Sequence, residues 1–211
     1  MNEKQLREQI SELGKSLYER GLAHGSAGNI SVKLADGNLL LTPTNSCLGR
    51  LDPARISKLD GSGKLIDGDP PSKEAFLHLA MYQERPKSEA VVHLHSLHAV
   101  AVSCLHDLNA DDVFPPITAY AIMQVGKLAL VPYYPPGDAS LADTVRKFAG
   151  KHHAVLLANH GPVVAGSSLT AAVNAIEELE QTAHLMLLLQ GRRARLLTAE
   201  QVAELNRRFP S

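Results

Sequence analysis

Strand-like and helix-like segments are mixed along this chain of 211 residues, but they do not alternate as regular strand–helix–strand units. The first segment has leucine and isoleucine at helical spacing, which predicts an amphipathic helix that ends near Gly21. Short apolar segments bounded by turn residues follow, and a long helical pattern comes late in the chain. Such an order favours a mostly antiparallel central sheet between two layers of helices. We therefore predict a single α/β domain of three layers, α/β/α, over residues 1–211.

Turn signals and apolar runs place the individual elements. The sequence DGN at 36–38 predicts a hairpin, and a second small hairpin is predicted around GSG within 56–66. PSKEAFLHLAMYQERP predicts a helix that Ser72 caps. AVVHLH is predicted as a buried strand, and SLHAVAVSCL as the helix after it. Further strands are predicted at LALVPYY, AVLLAN and PVVAG, and further helices at SLTAAVNAIEELEQTAHLMLLLQG and TAEQVAELNRR.

Composition and charge exclude several classes of protein. The chain has 45% apolar and 20% charged residues with a formal net charge of -1, so it lacks the general positive charge that attracts nucleic acid or an anionic membrane. Cys47 and Cys104 do not suggest a disulfide framework. The N-terminal segment is predicted to be a charged amphipathic helix rather than a signal peptide, and no apolar run reaches the roughly 20 residues of a membrane span. We expect a cytoplasmic protein without nucleic-acid or membrane partners.

Several histidines lie in an apolar stretch, where they are costly to bury. VVHLHSLH places His93 and His95 two residues apart, so on a strand they would share one face and could bind one metal ion. His160, before a glycine turn, is a candidate third ligand, and Glu74 could be a fourth ligand or a base beside the metal. The alternative is a set of hydrogen-bonded core histidines. The other histidines, His78 among them, have no comparable setting and are interpreted as surface or packing residues.

Three turns rich in small and polar residues could bind an anion. They are GSAGNIS at 25–31, TPTNS at 42–46, and PSKE at the predicted start of a helix. Backbone N–H groups in such turns and at helix starts bind phosphate groups, and Lys73 adds a positive charge in PSKE. Each segment alone is more commonly a simple turn. A phosphate site is therefore predicted only if the fold brings the three segments together.

Taken together, these motifs resemble those of a known family. GSAGNIS, LTPT, PSKE, VVHLHSLHAVAVS and LLANHG occur in the order found in class II, zinc-dependent aldolases of the aldolase/adducin type. The resemblance spans nearly the whole chain and implies the class II aldolase fold. TPTNSCLGRLDP, GDPPSKE, LVPYYPPGD and LLANHGPVVAG are most similar to the branch that decarboxylates 3-oxo-tetronate 4-phosphates. That branch commonly has a glycine where this chain has Asn45.

The resemblance also implies roles for individual residues. His93, His95 and His160 would be zinc ligands, and Glu74 would be a fourth ligand at rest and the catalytic acid/base. Tyr120, in PITAYAIM, resembles a tyrosine that donates a proton in the aldolases, although a buried core aromatic would give the same signal. The residues implied to bind the substrate phosphate are Ser26, Asn29, Thr44, Asn45, Ser72 and Lys73.

The function that the resemblance implies is that of a metal-dependent carbon–carbon lyase in sugar-acid catabolism. The enzyme would convert a 3-oxo-tetronate 4-phosphate to dihydroxyacetone phosphate and CO2 through an enediolate stabilised by one Zn2+ per subunit of a homotetramer. Manganese, cobalt or iron would also suit three imidazoles and a carboxylate. The alternatives are a class II aldolase that cleaves a ketose or sugar-acid phosphate, an epimerase on the same fold, and a non-catalytic scaffold of the adducin kind.

Overall fold

Six α-helices and eight strands occur within residues 1–135 and 137–209, the part of the chain that the computed structural model describes. Pro136 of the LVPYYPPGD stretch and residues 210–211 of the predicted domain lie outside the described residues. The helices are α1 (Glu3–Glu19), α2 (Ala75–Glu84), α3 (Leu97–Ser103), α4 (Ser140–Ala149), α5 (Leu169–Leu189) and α6 (Ala199–Arg208). The strands are β1 (Asn29–Lys33), β2 (Leu39–Leu41), β3 (Ser57–Leu59), β4 (Leu65–Asp67), β5 (Ala90–His93), β6 (Ala129–Val131), β7 (Ala154–Leu157) and β8 (Gly161–Gly166).

The strands form one sheet in the order β4–β3–β2–β1–β5–β8–β7–β6. Neighbouring strands are antiparallel except for β6 and β7, which are parallel. The sheet is therefore mixed, and the prediction of a mostly antiparallel sheet is confirmed. Strand β5 lies between β1 and β8, with His93 opposite Asn29 on one side and Val163 on the other. This pairing on both sides fixes the position of His93 along the sheet.

Helices cover both faces of the sheet. On one face, α1, α3 and α5 pack against strand residues such as Ile30 and Val92. On the other face, α2 and α4 pack against residues such as Val91 and Val163. Successive residues of β5 thus point to opposite cores, as the alternation of side chains along a strand requires. The predicted three-layer α/β/α architecture is confirmed.

Local sequence determines where several elements begin and end. Helix α1 begins after Asn2, whose side chain forms a reciprocal cap with Gln5. Strand β6 stops before Pro132 because proline has no N–H to donate to the ladder, so the strand is shorter than LALVPYY.

None of the helices within the described residues combines the length and apolar character needed to cross a membrane.

Two predicted boundaries near the histidines are wrong. Helix α2 begins at Ala75 with Glu74 as its N-cap residue, while the Ser72 hydroxyl accepts a hydrogen bond from the Glu74 N–H at 3.2 Å. Strand β5 ends at His93, so His95 does not share a strand face with His93. Because α3 already begins at Leu97, the chain must leave the sheet within residues 94–96. His95 therefore reaches its position from a loop.

Candidate metal centre

Four side chains converge where β5 and β7 end: Glu74, His93, His95 and His160. One potential ligand atom from each lies within 4.8 Å of all the others. His95 Nε2 lies 3.0 Å from His93 Nε2 and 2.9 Å from His160 Nε2. The Glu74 carboxylate lies 3.5 Å from His93 Nε2 and 3.2 Å from His160 Nε2. The fold thus brings together the four residues predicted as metal ligands.

The chemistry of this donor set fits a divalent cation. His93 Nδ1–H donates to the Pro162 carbonyl at 2.8 Å, so the neutral ring presents its unprotonated Nε2 to the cluster. Burial lowers the pKa of His93 to about 4 and also lowers the pKa of His95, so both rings are neutral and available as ligands at neutral pH. Nitrogens that share one ion at about 2.1 Å would lie roughly 3.0–3.4 Å apart. The spacing of the three imidazoles is close to that range.

The Glu74 side chain is ionised. Burial raises its pKa, but the interactions with His93, His160 and Asn29 outweigh burial and hold the pKa below its ordinary value. Glu74 is therefore a carboxylate at neutral pH that can bind a cation or accept a proton. It could deliver a proton only after it had first accepted one.

A glycine lets the two loops that carry His95 and His160 approach each other. His160 lies in the turn between β7 and β8, and Gly161 follows it. A Cβ atom on Gly161 would lie 2.3 Å from the Leu94 carbonyl oxygen and 3.4 Å from His95 Cα. These are backbone atoms that cannot turn aside as a flexible side chain would. The geometry of the cluster therefore depends on the absence of a side chain at residue 161.

We expect Gly161→Ala to lower the free energy of unfolding by about 3 kcal/mol, as overpacking does. It should also weaken Co2+ binding roughly tenfold or more by separating His95 from His160. Thermal unfolding of the metal-free protein and a cobalt titration measure the two effects. Gly150→Ala is the matched control, because a Cβ there has only an ordinary contact, 3.7 Å from a Glu84 carboxylate oxygen. Equal cobalt affinity in Gly161→Ala and wild type would contradict the expectation.

A carboxylate from a distant helix anchors the segment that carries His95. Helix α3 begins two residues after His95, and its N-cap residue Ser96 makes no side-chain cap. Instead, Glu180 of α5 accepts hydrogen bonds from the His98 and Ala99 N–H groups, at 2.9 and 2.8 Å. A carboxylate at this position caps the first turn as an N-cap side chain would. Glu180 could not be predicted from sequence, because no local signal links residues so far apart in the chain.

The three predicted anion-binding turns lie side by side. The Ile30 N–H donates to the Thr42 hydroxyl at 3.1 Å, which joins the end of GSAGNIS to the start of TPTNS. The Thr44 N–H donates to the Pro70 carbonyl at 2.9 Å, and the Ser72 N–H donates to the Thr42 carbonyl at 3.2 Å. TPTNS therefore runs beside PSKE, next to Glu74. This meets the condition under which the sequence predicted a phosphate site.

The residues implied to bind phosphate differ in their surroundings. Ser26, Asn45 and Lys73 are exposed, and Thr44 and Ser72 are half-buried. Asn45 has a φ of 55°, in the left-handed region where asparagine is one of the better-tolerated residues after glycine. The residue that replaces glycine here is thus one that can keep the shape of the turn.

Asn29 and Tyr120 lie in quite different settings. Asn29 is buried, and its side chain makes hydrogen bonds to Glu74 and His78 rather than facing solvent. Tyr120 is 62% exposed, so it is not a buried core aromatic. It lines a surface cleft together with Arg20 and Glu180.

Comparison with known proteins agrees with this fold. The sequence pattern described as "Class II Aldolase and Adducin N-terminal domain" matches residues 8–187. The 3-oxo-tetronate 4-phosphate decarboxylase of Escherichia coli strain K12 is 51% identical over 203 residues, 96% of each chain. An L-fuculose phosphate aldolase of Haemophilus influenzae is 34% identical over 208 residues, covering 96% of this chain and 92% of the aldolase.

Solved structures give the same picture. The crystal structure of YgbL from Escherichia coli is similar with a TM-score of 0.95 at 50% identity, over 96% of this chain and 98% of that one. An L-fuculose 1-phosphate aldolase structure is similar with a TM-score of 0.85 at 28% identity, over 97% of this chain and 96% of the aldolase. The resemblance read from the motifs is thereby confirmed. The chain belongs to the class II aldolase and adducin family.

Proposed function

We propose that the protein is a zinc-dependent decarboxylase that converts a 3-oxo-tetronate 4-phosphate to dihydroxyacetone phosphate and CO2, a step of sugar-acid catabolism. The observation that carries the proposal is the cluster of Glu74 and three imidazoles beside adjacent anion-binding turns. The name of the Escherichia coli relative at 51% identity supports the choice of reaction. That relative and the family also confirm the expectation of a lyase.

The reaction needs a place for the electrons that the departing CO2 leaves behind. The substrate carries its carboxylate β to a ketone, so breaking the carbon–carbon bond moves the electron pair toward the ketone oxygen and gives an enediolate. A divalent cation held by Glu74, His93, His95 and His160 would supply Lewis-acid stabilisation of that negative charge. A proton then adds to the carbon that lost CO2 and completes dihydroxyacetone phosphate.

The side chains of this protein have separate tasks in that scheme. The hydroxyl groups of Thr44 and Ser72 bind the phosphate, since the N–H groups of these two residues already donate to carbonyls of the protein. Lys73 binds the negative charge of the substrate. Glu74 is ionised and would hold the cation, and it can return a proton only after taking one up. Tyr120, with its exposed hydroxyl, is the other candidate proton donor.

We further propose a cytoplasmic homotetramer with active sites between subunits. Leu97, two residues after His95, is 70% exposed, and Tyr120 is 62% exposed. Large apolar and aromatic side chains exposed on the surface suit an interface between copies of the chain. In such an assembly the Tyr120 hydroxyl would serve the site of a neighbouring copy. Sedimentation velocity would give the number of subunits, and a monomer at micromolar concentration would contradict the proposal.

The direct test of function is a coupled assay for dihydroxyacetone phosphate. The zinc-loaded protein receives 3-oxo-tetronate 4-phosphate with no aldehyde present, and we expect rapid product formation that a chelator abolishes. Zinc-loaded protein that gives no product would contradict the proposal. The second candidate, an aldolase, is favoured by the 34% identical L-fuculose phosphate aldolase. It would instead form a new bond only when dihydroxyacetone phosphate and an aldehyde are both supplied.

Lys73→Ala should raise KM roughly five- to tenfold and change kcat much less, because an exposed lysine that binds charge contributes to substrate and transition state alike. Initial rates over a range of substrate concentrations separate the two constants. Lys64→Ala is the control, since Lys64 is also exposed but lies in the turn between β3 and β4. An unchanged KM in Lys73→Ala would remove the proposed charge-binding role.

A further inference from the structure

A continuous chain of buried hydrogen bonds runs behind the Glu74 carboxylate. Asn29 Nδ2 donates to Glu74 Oε2 at 2.7 Å, and Asn29 Oδ1 lies 2.5 Å from His78 Nε2. His78 Nδ1 lies 2.7 Å from the Ser31 hydroxyl, which lies 2.9 Å from the Tyr82 hydroxyl. The four residues behind Glu74 are at most 7% exposed. His78, interpreted from sequence as a surface or packing residue, is thus a buried member of a polar network.

Two regular elements provide this arrangement. Glu74, His78 and Tyr82 recur every four residues and therefore lie on one face of α2. Asn29 and Ser31 are two residues apart on β1 and therefore point to one face of the sheet. The two polar stripes meet between helix and sheet, in a layer whose other members are apolar. Residues of the helix and the strand alternate along the hydrogen-bonded chain.

The Glu74 carboxylate fixes the direction of every hydrogen bond in this buried network. An ionised carboxylate can only accept, so the Asn29 NH2 group must face Glu74 and its oxygen must face His78. His78 Nε2 must then carry a proton and donate to that oxygen. Burial lowers the pKa of His78 to about 3, so the ring is neutral and its Nδ1 accepts from the Ser31 hydroxyl. Ser31 in turn accepts from the Tyr82 hydroxyl.

Packing alone does not account for these residue types. A buried polar group is costly unless every partner is present, whereas apolar side chains of similar size would fill the same space without that requirement. The network of hydrogen bonds permits a single orientation of the Asn29 amide. If the amide turned over, its oxygen would face the Glu74 carboxylate, which is repulsive, and its NH2 group would face the proton that His78 carries on Nε2 in this arrangement.

We propose that His78, oriented by Ser31 and Tyr82, is a positioning residue that holds the Asn29 amide and through it the Glu74 carboxylate in the metal-binding geometry. This inference rests on the proposed metal centre but not on the identity of the substrate. The hydrogen bonds of His78 go to Asn29 and Ser31 and not to a proposed ligand atom. Its effect should therefore appear in metal binding itself, which can be measured without turnover.

The test uses Co2+ as the probe, with its visible absorption spectrum and its affinity measured in competition with a chelating dye. We expect His78→Leu to weaken cobalt binding roughly 10- to 100-fold and to change the spectrum, as loss of a partner behind a ligand does. Ser31→Ala should have a smaller effect and Tyr82→Phe the smallest. His78→Gln should restore most of the affinity, because the Gln amide can donate to Asn29 and accept from Ser31.

A matched control separates positioning from general destabilisation. Met81 lies on the same helix and is fully buried among apolar residues. Met81→Ala should lower the melting temperature at least as much as His78→Gln does, but leave the cobalt spectrum and affinity as in wild type. If Met81→Ala weakened cobalt binding as much as His78→Leu, the effect of His78 would be one of stability alone and the proposal would be overturned.

The remaining outcomes are distinguishable. Wild-type cobalt affinity and spectrum in both His78→Leu and Ser31→Ala would overturn this inference and leave the proposed function standing. A wild-type protein that gives no cobalt spectrum would overturn the metal centre and this inference together. Nitrogen NMR of the His78 ring provides an independent check: a neutral ring protonated on Nε2 is expected, and protonation on Nδ1 would overturn the hydrogen-bond direction.

Discussion

His95→Ala should abolish metal binding and reduce turnover to a small residual rate. The His95 Nε2 atom lies about 3 Å from the Nε2 atoms of both His93 and His160, so its loss removes the ligand between them. Loss of a Lewis acid worth about 4 kcal/mol of transition-state stabilisation corresponds to roughly a 1,000-fold lower kcat. Bound zinc can be measured by atomic emission and kcat by the coupled assay. His95 is preferable to His93 because it is less buried and its truncation perturbs the fold less.

His106→Ala is the control for His95→Ala, since the His106 side chain is almost fully exposed and lies outside the cluster. It should retain full zinc occupancy and wild-type rates. Full zinc occupancy with normal activity in His95→Ala would exclude the cluster as the metal centre. His93→Ala should lose zinc as well, with an added loss of stability because truncation of this fully buried ring leaves a cavity and removes one of the two donors to the Pro162 carbonyl.

Glu74→Gln should separate metal binding from catalysis. Three imidazoles remain, so we expect cobalt affinity to fall by roughly tenfold, which is far less than in His95→Ala. The neutral amide can no longer take up and return a proton, so kcat should fall by about 100- to 1,000-fold. The Asn29 NH2 group adds a constraint, because the new amide must turn its oxygen toward Asn29 and its own NH2 group toward His160.

A cobalt titration and the coupled assay, run on the same preparation, give both quantities for Glu74→Gln. Glu84→Gln is the matched control, because Glu84 is an exposed glutamate at the other end of the same helix. It should behave as wild type in both measurements. Wild-type kcat in Glu74→Gln would assign the acid/base role to another group, with Tyr120 the first to examine.

Much of the fold and the residues of the cluster could be predicted from the sequence. Apolar runs punctuated by glycine and proline located the strands, and the HLH spacing and NHG turn located the candidate ligands. The predicted strand over AVVHLH is too long at its C-terminal end, because the connection to the next helix is short. AVVHLH alternates like a single strand, but the early start of α3 takes His95 out of the sheet.

What could not be predicted depends on contacts between residues far apart in the chain. Asn29 and His78 are 49 residues apart, and His98 and Glu180 are 82 apart. No short window of sequence contains both partners, so the pattern around His78 predicts only a surface or packing residue. Helix α4 differs, because Leu141 and Val145 carry a helical spacing that indicates it, although it is not among the predicted elements. The four-residue repeat of Glu74, His78 and Tyr82 is likewise visible in the sequence.

The proposed ligands come from three separate stretches of chain, so the bound metal would affect how quickly the protein is degraded in the cell. An ion bound by Glu74, by His93 and His95, and by His160 would cross-link the start of α2, the end of β5 and the turn after β7. A ligand that binds only the folded state stabilises it by about 2.7 kcal/mol at a free concentration 100 times its Kd. Metal starvation would then expose the chain to proteolysis as well as inactivating it. The cellular amount of this protein should therefore follow the supply of its metal.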